Sequence, residues 1–322
     1  MKIIIIGGTG HIGSYLVPRL VLAGHTAIVV TRGEQKPYFD SGLWKYVEQH
    51  CIDRNHEEAA GGFAARIASF SADVVIDLIC FTMQSAKHLV HGLAGRTGHF
   101  LFCGSIWVHG HSQVVPTTES MPRKPFGEYG IRKAAIEEWL LSTAHAEGFP
   151  VTILHPGHIV GPGWVPLNPV GNFNPAAFRT LAAGEKLALP NLGLETVHHV
   201  HADDVAQAFC RVIENRSVAL GESFHVVSPA ALTLRGYAEQ VSRWFGREPV
   251  LEFQHWEQWK KGVSAAEAET TWDHVAHSPH CSIEKARRLL HFAPRYSSLE
   301  AVFESLEALG FRGYSSSASP SR

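Results

Sequence analysis

The sequence predicts an α/β protein, a doubly wound parallel sheet followed by a smaller C-terminal lobe, and three observations carry that prediction. Short β-branched runs alternate with longer helix-patterned segments through about the first 160 residues. The runs are apolar throughout, without polar alternation, as strands are when helices cover both faces of a sheet. From "GPGWVPLNPVGNFNP" onward the punctuation turns to dense Pro, Gly and Asn, which marks loops and a lobe of different texture.

Taken in order, "KIIII", "TAIVV", "ADVVIDLI", "HFLFC" and "VTIL" read as strands, with helices around 12–23, 57–70, 83–95 and 128–147 between them. In the lobe, "DDVAQAFCRVI", "TLRGYAEQVSRWF", "SIEKARRLL" and "SLEAVFESLEAL" read as helices, and "SFHVV" as a strand returning to the first sheet. The expected division is 1–165 for the sheet domain, 166–310 for the lobe with its returning segments, and 311–322 for a flexible tail containing "SSSASPSR".

Charge and cysteine usage bound the partners. With 28 Lys+Arg against 30 Asp+Glu, the chain lacks the basic field that nucleic acid or an anionic membrane demands, and neither partner is expected. The five cysteines are odd in number, scattered and never in Cys-x-x-Cys spacing, so neither a disulfide framework nor a zinc site is suggested. No apolar run approaches a membrane span and no signal-peptide pattern opens the chain, so a soluble cytoplasmic protein is expected.

"GGTGHIG" follows the first strand and opens the first helix, placing Gly7, Gly10 and Gly13 in a G-x-x-G-x-x-G pattern. Glycines let the backbone turn tightly and approach a pyrophosphate, whose charge rests on the free N–H groups of the helix start. Thr9, His11 and Ile12 complete that loop, and the fold is Rossmann-like. An NAD-preferring strand end would carry Asp or Glu for the ribose hydroxyls. Thr31 and Arg32 stand there instead, a hydroxyl and a guanidinium suited to a 2′-phosphate, so the expected cofactor is NAD(P) with a lean to NADP. Asp53, in "CIDRN", is placed to accept a hydrogen bond from adenine.

"GGTGHIG", "CGSIWVHG", "YGIRK", "HPGHIVGPG" and "HVHADDVAQAF" occur in the order and approximate spacing of the extended short-chain dehydrogenase/reductases, and the chain resembles their NAD-dependent epimerase/dehydratase branch from Met1 to about Leu309. The resemblance implies a Ser–Tyr–Lys site beside the nicotinamide, at Ser105, Tyr129 and Lys133. Side chains at i and i+4 stand one above the other on a helix, so the phenol of Tyr129 and the ammonium of Lys133 can share one site. A phenol is a poor base at neutral pH, and the expectation is that Lys133 and a positive nicotinamide ring lower its pKa. Tyr129 is then the acid/base, Lys133 also holds the nicotinamide ribose, and Ser105 hydrogen-bonds the substrate oxygen.

The chain departs from the family where substrates bind. Sugar-nucleotide dehydratases carry an Asp-Glu pair after the active-site Ser/Thr; Ile106 and Trp107 fill those places and transfer no proton. His109 and His155 replace the tyrosine and arginine of two family motifs and are, with Trp107, candidates to line the substrate pocket. Val197 occupies the position where relatives often hold a diphosphate with arginine, which speaks against a nucleotide-sugar substrate. His199 and His201 share a strand face, yet no third ligand stands near them in sequence, and no metal is expected. Asp203 and Asp204 are expected to cap the helix they begin.

The expected function is hydride transfer at a hydroxyl or carbonyl carbon of a polar, sugar-like or other small substrate, either as net oxidoreduction or as epimerisation. The alternative is a binding protein that keeps the fold and cofactor and has turned its surface to another use, such as RNA. A homodimer is expected, with Ile131, Ala135, Trp139 and Ser142 of the Tyr129 helix on spacings that suit a partner.

Overall fold

The computed structural model describes residues 1–314 except Asp40. Six parallel strands, β1 (Lys2–Ile6), β2 (Thr26–Thr31), β3 (Glu48–Cys51), β4 (Val74–Asp77), β5 (His99–Cys103) and β6 (Val151–Pro156), alternate with α1 (His11–Leu22), α2 (Arg54–Ala59), α3 (Phe63–Ser69), α4 (Met83–Leu93) and α5 (Glu128–Glu147). The lobe adds β7 (His158–Val160), α6 (Ala176–Ala183), β8 (Leu187–Pro190), β9 (Thr196–Val197) and β10 (His199–His201). Then come α7 (Ala202–Glu214), α8 (Arg216–Ala219), β11 (Ser223–Val226), β12 (Leu232–Thr233), α9 (Leu234–Trp244) and β13 (Leu251–Gln254). The chain closes with α10 (Trp256–Trp259), α11 (Ala265–His277), α12 (Glu284–Leu290) and α13 (Ser298–Ala308).

The main sheet is seven-stranded in the order β11-β6-β5-β4-β1-β2-β3, and every pairing in it is parallel. Alternation along β1 shows why both faces are apolar. Ile3 and Ile5 point into a core shared with α1, α7 and α12, whereas Ile4 and Ile6 point into a second core shared with α3, α4 and α5. "SFHVV" does return to the sheet, as β11 paired in parallel with β6. A third apolar cluster, including Phe178, Leu189, Tyr237, Trp259 and Leu306, holds the lobe together around the β8–β13 pair.

Two expected features differ. The single helix read over 57–70 is two short helices, because Gly61 takes φ +73° between α2 and α3. Asp203 and Asp204 lie in the first turn of α7, but the N-cap is His201, whose Nδ1 accepts from the Asp203 N–H at 3.0 Å. The two carboxylates tie distant segments together instead. Asp203 receives both Nε and Nη2 of Arg19 at 2.7 Å, and Asp204 accepts the backbone N–H groups of Arg295 and Tyr296 at 2.7 and 3.1 Å. The polar segment "SSSASPSR" lies outside the described residues.

Candidate active site

The glycine loop is built so that only glycine fits at its crossings. Gly7 takes φ +84°, and a Cβ on Gly13 would lie 2.1 Å from the Gly8 carbonyl oxygen, so α1 rises directly against the loop backbone. Gly10 is the N-cap of α1, has no side chain to occupy the free N–H groups, and no acid stands in the first turn. That arrangement fits a pyrophosphate on its charge and its space. Thr9 and Thr31 join the loop to the end of β2 through hydroxyls 3.0 Å apart.

Gly127 (φ +69°) turns the chain into α5, which sets Tyr129 in its first turn and Lys133 one turn on. Ser105 follows β5 and caps a 3-10 turn, Ile106–His109, by accepting from the Trp107 N–H at 3.2 Å. Gly7, Gly10, Gly13, Ser105, Tyr129 and Lys133 all line one cavity of about 460 Å³ at the carboxyl ends of the strands. A larger cleft of about 750 Å³ runs along β11 and α12 and contains none of them; its lining includes the Lys285–Glu222 ion pair.

Lys133 is 2 % exposed, and its ammonium donates to the carbonyls of Cys80 and Cys103, each at 2.8 Å. Burial lowers its pKa. Nζ lies 5.9 Å from the centroid of the Tyr129 ring. Tyr129 is 43 % exposed, and it lines the cavity beside Ser105. Burial pushes the phenol up to about 12, with Cys103 adding and Ser105 opposing. In the protein alone burial of the phenol outweighs any lowering of Tyr129 by Lys133.

Several other sequence candidates stand elsewhere. Arg32 is exposed and pairs with Glu34 at 3.1 Å, so the arrangement gives no support to a preference for NADP. Asp53 is also exposed and spends an oxygen capping α2, accepting from the His56 N–H at 3.1 Å. His155 does not line the pocket: it is wholly buried, with Nε2 2.6 Å from Glu137. His109 is buried too, its Nε2 2.8 Å from Nε2 of His225. Of the family-motif replacements only Trp107 stands next to the Tyr129 ring, edge-on at 5.8 Å between centroids. His199 and His201 do not converge, since His199 Nε2 meets the Leu167 carbonyl while His201 caps α7.

Sequence reasoning missed two aromatic groups, one lining the cavity and one packed beside the Tyr129 ring. His11 of the glycine loop stacks on Trp164 with centroids 5.0 Å apart and 6° between planes, and Tyr38 lies 5.0 Å from the same imidazole. Beyond Tyr129, Trp107 stacks on His277 at 4.1 Å, and His158 stands 4.8 Å from His274 and 6.1 Å from His199. Burial holds His274, His277 and His199 down to about 4 and His158 well below its ordinary value, so this cluster is neutral at neutral pH. His158 Nε2, His199 Nδ1 and His277 Nε2 are buried without a hydrogen-bond partner among the described residues. The signal for α11, which carries His274 and His277, was present in the sequence as the capping box Ser264-x-x-Glu267. Nothing local marked its face as packing on Trp107.

The chain belongs to the NAD-dependent epimerase/dehydratase family, whose model matches residues 3–226. Among curated proteins it is 27 % identical over 279 residues to a 2′-dehydrokanamycin reductase of Streptomyces kanamyceticus, covering 85 % of this chain and 76 % of that one. It is 25 % identical over 313 residues to a chloroplast stem-loop binding protein of 41 kDa, form b, of Arabidopsis thaliana, covering 94 % and 78 %. Among solved structures it superposes on a UDP-glucose 4-epimerase of Thermotoga maritima with TM-score 0.70 at 20 % identity, covering 96 % of this chain and 99 % of that one. A UDP-glucuronic acid 4-epimerase of Bacillus cereus, solved with UDP-glucuronic acid and NAD, gives TM-score 0.69 at 17 % identity, covering 96 % and 100 %. These structural likenesses establish the Rossmann-like α/β fold.

Proposed function

We propose that the protein is an NAD(P)-linked enzyme that moves hydride at a hydroxyl or carbonyl carbon of a polar, sugar-like substrate, with Tyr129 as the proton-transferring group. The observation that carries this reading is the single cavity into which the glycine loop, Ser105, Tyr129 and Lys133 all open. A nicotinamide dinucleotide would be held by Gly7, Gly10 and Gly13 and would supply or accept the hydride. The proton is left to this chain. A phenol raised to about 12 is protonated at neutral pH and is ready to donate to a carbonyl oxygen as hydride reaches its carbon. Ser105 hydrogen-bonds the same oxygen. The ammonium of Lys133 donates to two backbone carbonyls and keeps one further N–H, with which it would hold the nicotinamide ribose.

The aromatic rings that line the cavity, Tyr38, Phe81 and Trp164, suit a polyol without a diphosphate. Aromatic faces pack against the C–H surface of a sugar ring, and the Ser105 and Tyr129 hydroxyls suit its oxygens. Val197 is fully buried and pairs with Leu232, so no cation stands there for a diphosphate. The name of the Streptomyces kanamyceticus relative agrees with a sugar-like ketone. We also propose a homodimer in the cytoplasm. Ile131, Ala135 and Ser142 form an exposed stripe on α5, joined by half-buried Trp139, and all five cysteines are free thiols.

The test is turnover of a panel of oxidised sugars and polyol ketones with NADH and NADPH. Tyr129→Phe should lose at least about a hundredfold in turnover while nucleotide binding persists. Normal turnover by the Phe variant refutes the role of Tyr129. Salt-dependent retention on stem-loop RNA, with no turnover of any panel member, would favour the binding-protein reading instead.

A further inference from the structure

Outside this cavity, three histidines from distant segments converge. We propose that His109, His155 and His225 form a binding site for a divalent transition-metal cation of the zinc type, a clip that ties the Ser105 turn to β6 and β11. Each ring offers one nitrogen, and the three nitrogens lie within 4.8 Å of one another. Ring centroids are 4.9, 5.6 and 6.2 Å apart. All three rings are buried, at 7 %, 0 % and 0 % exposure.

The partners of the rings are those that metal-bound histidines have. A ligating histidine donates its other ring N–H to a carboxylate or carbonyl, which fixes the tautomer and leaves a lone pair for the ion. His225 Nδ1 faces the Ser282 carbonyl at 3.1 Å, which turns the lone pair of Nε2 inward. His155 Nε2 faces Glu137 at 2.6 Å, and Glu137 is itself gripped by Arg123 at 2.7 Å. His155 Nδ1 is then a bare, fully buried acceptor, and it has no partner among the described residues. His109 Nδ1 is likewise unpartnered, with the Pro122 carbonyl nearby.

The protons count in the same direction. With Ser282 and Glu137 fixing two tautomers, the 2.8 Å contact between His109 Nε2 and His225 Nε2 is one shared proton in the protein alone. A cation replaces that proton, and the N–H of His109 moves to Nδ1, toward Pro122. Tetrahedral Zn–N bonds of about 2.0–2.1 Å place ligand nitrogens about 3.3 Å apart, so the His109–His225 contact opens by about half an ångström. A small cavity of about 60 Å³, lined by His109, Thr117, Met121 and Pro122 among others, gives the ion its way in. The expectation of no metal came from His199 and His201; this cluster draws on none of the sequence proximity that such reasoning needs.

The experiment is equilibrium dialysis of the tag-free full chain against Zn²⁺, with Co²⁺ substituted for its visible spectrum. One Zn²⁺ per chain and an intense Co²⁺ spectrum of low coordination number are expected. His109→Gln and His225→Gln should each weaken Zn²⁺ at least about tenfold to a hundredfold, while His145→Ala, an exposed histidine, leaves binding unchanged. Binding well below one equivalent overturns the proposal. So does a weak octahedral Co²⁺ spectrum, or loss of zinc in His145→Ala but not in the cluster variants. If the variants fail to fold, stoichiometry and spectrum of the wild type decide alone. Turnover plays no part in the readout, so the site stands or falls separately from the proposed reaction.

Discussion

Replacing Lys133 by methionine should damage the fold before it damages any reaction. The side chain is 2 % exposed, and its ammonium holds the carbonyls of Cys80 and Cys103, each at 2.8 Å. Those carbonyls follow β4 and end β5, so one cation from α5 clamps two adjacent strand ends. Methionine keeps the apolar stem and its contacts with Phe81 and Phe102, over whose rings Nζ sits at 4.6 and 4.8 Å. It leaves two buried acceptors unpaired, at about 1–3 kcal/mol each, so the loss of stability should be about 2–6 kcal/mol. Part of the cost is offset because the buried ammonium no longer needs to be desolvated, which places the outcome nearer the lower figure. Urea unfolding followed by fluorescence and far-UV circular dichroism measures it, with an unchanged slope required for the comparison. A methionine variant within about 0.5 kcal/mol of wild type refutes the clamp and returns Lys133 to a role in binding alone.

Other expectations follow from the same geometry. Gly13→Ala puts a methyl carbon 2.1 Å from the Gly8 oxygen, so it should abolish nucleotide binding in calorimetry; retention of wild-type affinity would show that the loop can yield. Burial raises the Tyr129 phenol to about 12, so difference titration against Tyr129→Phe should show no tyrosinate from this residue below about pH 11 in the protein alone. With oxidised nucleotide bound, the positive ring should move ionisation to lower pH, and turnover in the oxidation direction should rise with pH as the phenolate forms. A tyrosinate signal near neutrality without nucleotide contradicts the burial argument. Arg32 pairs with Glu34 on the surface, so Arg32→Ala should change NAD affinity less than about threefold; a selective loss of NADP affinity would restore the role read from the sequence.

The parts of this molecule legible in the sequence are those whose cause is local. Repeated isoleucines in "KIIII" and the glycines of "GGTGHIG" have one stable use, and the structure places them as β1 and the turn into α1. Tyr129 and Lys133 stand one helical turn apart for the same reason. What could not be read depends on which distant segments meet. Asp203 looks like a helix-start residue until Arg19 arrives from α1. His155 looks like a pocket residue until Glu137 arrives from α5. The raised pKa of Tyr129 in the protein alone has a similar origin, because Cys103 and Ser105 reach the phenol from the end of a strand distant in sequence.

The place of β11 at the end of the sheet has a consequence for how the chain is made. Strand β6 ends at Pro156, and its outer neighbour begins only at Ser223. At about 5–20 residues per second, synthesis of the intervening stretch of about 67 residues takes roughly 3–13 s. Throughout that interval six strands can assemble at the ribosome while the backbone of β6 faces water on one side, an open template for any passing strand. The molecule therefore depends for seconds on something that is not yet part of it. A nascent chain arrested just short of Ser223 should be the form that binds chaperones and aggregates, and one arrested well beyond Val226 should not.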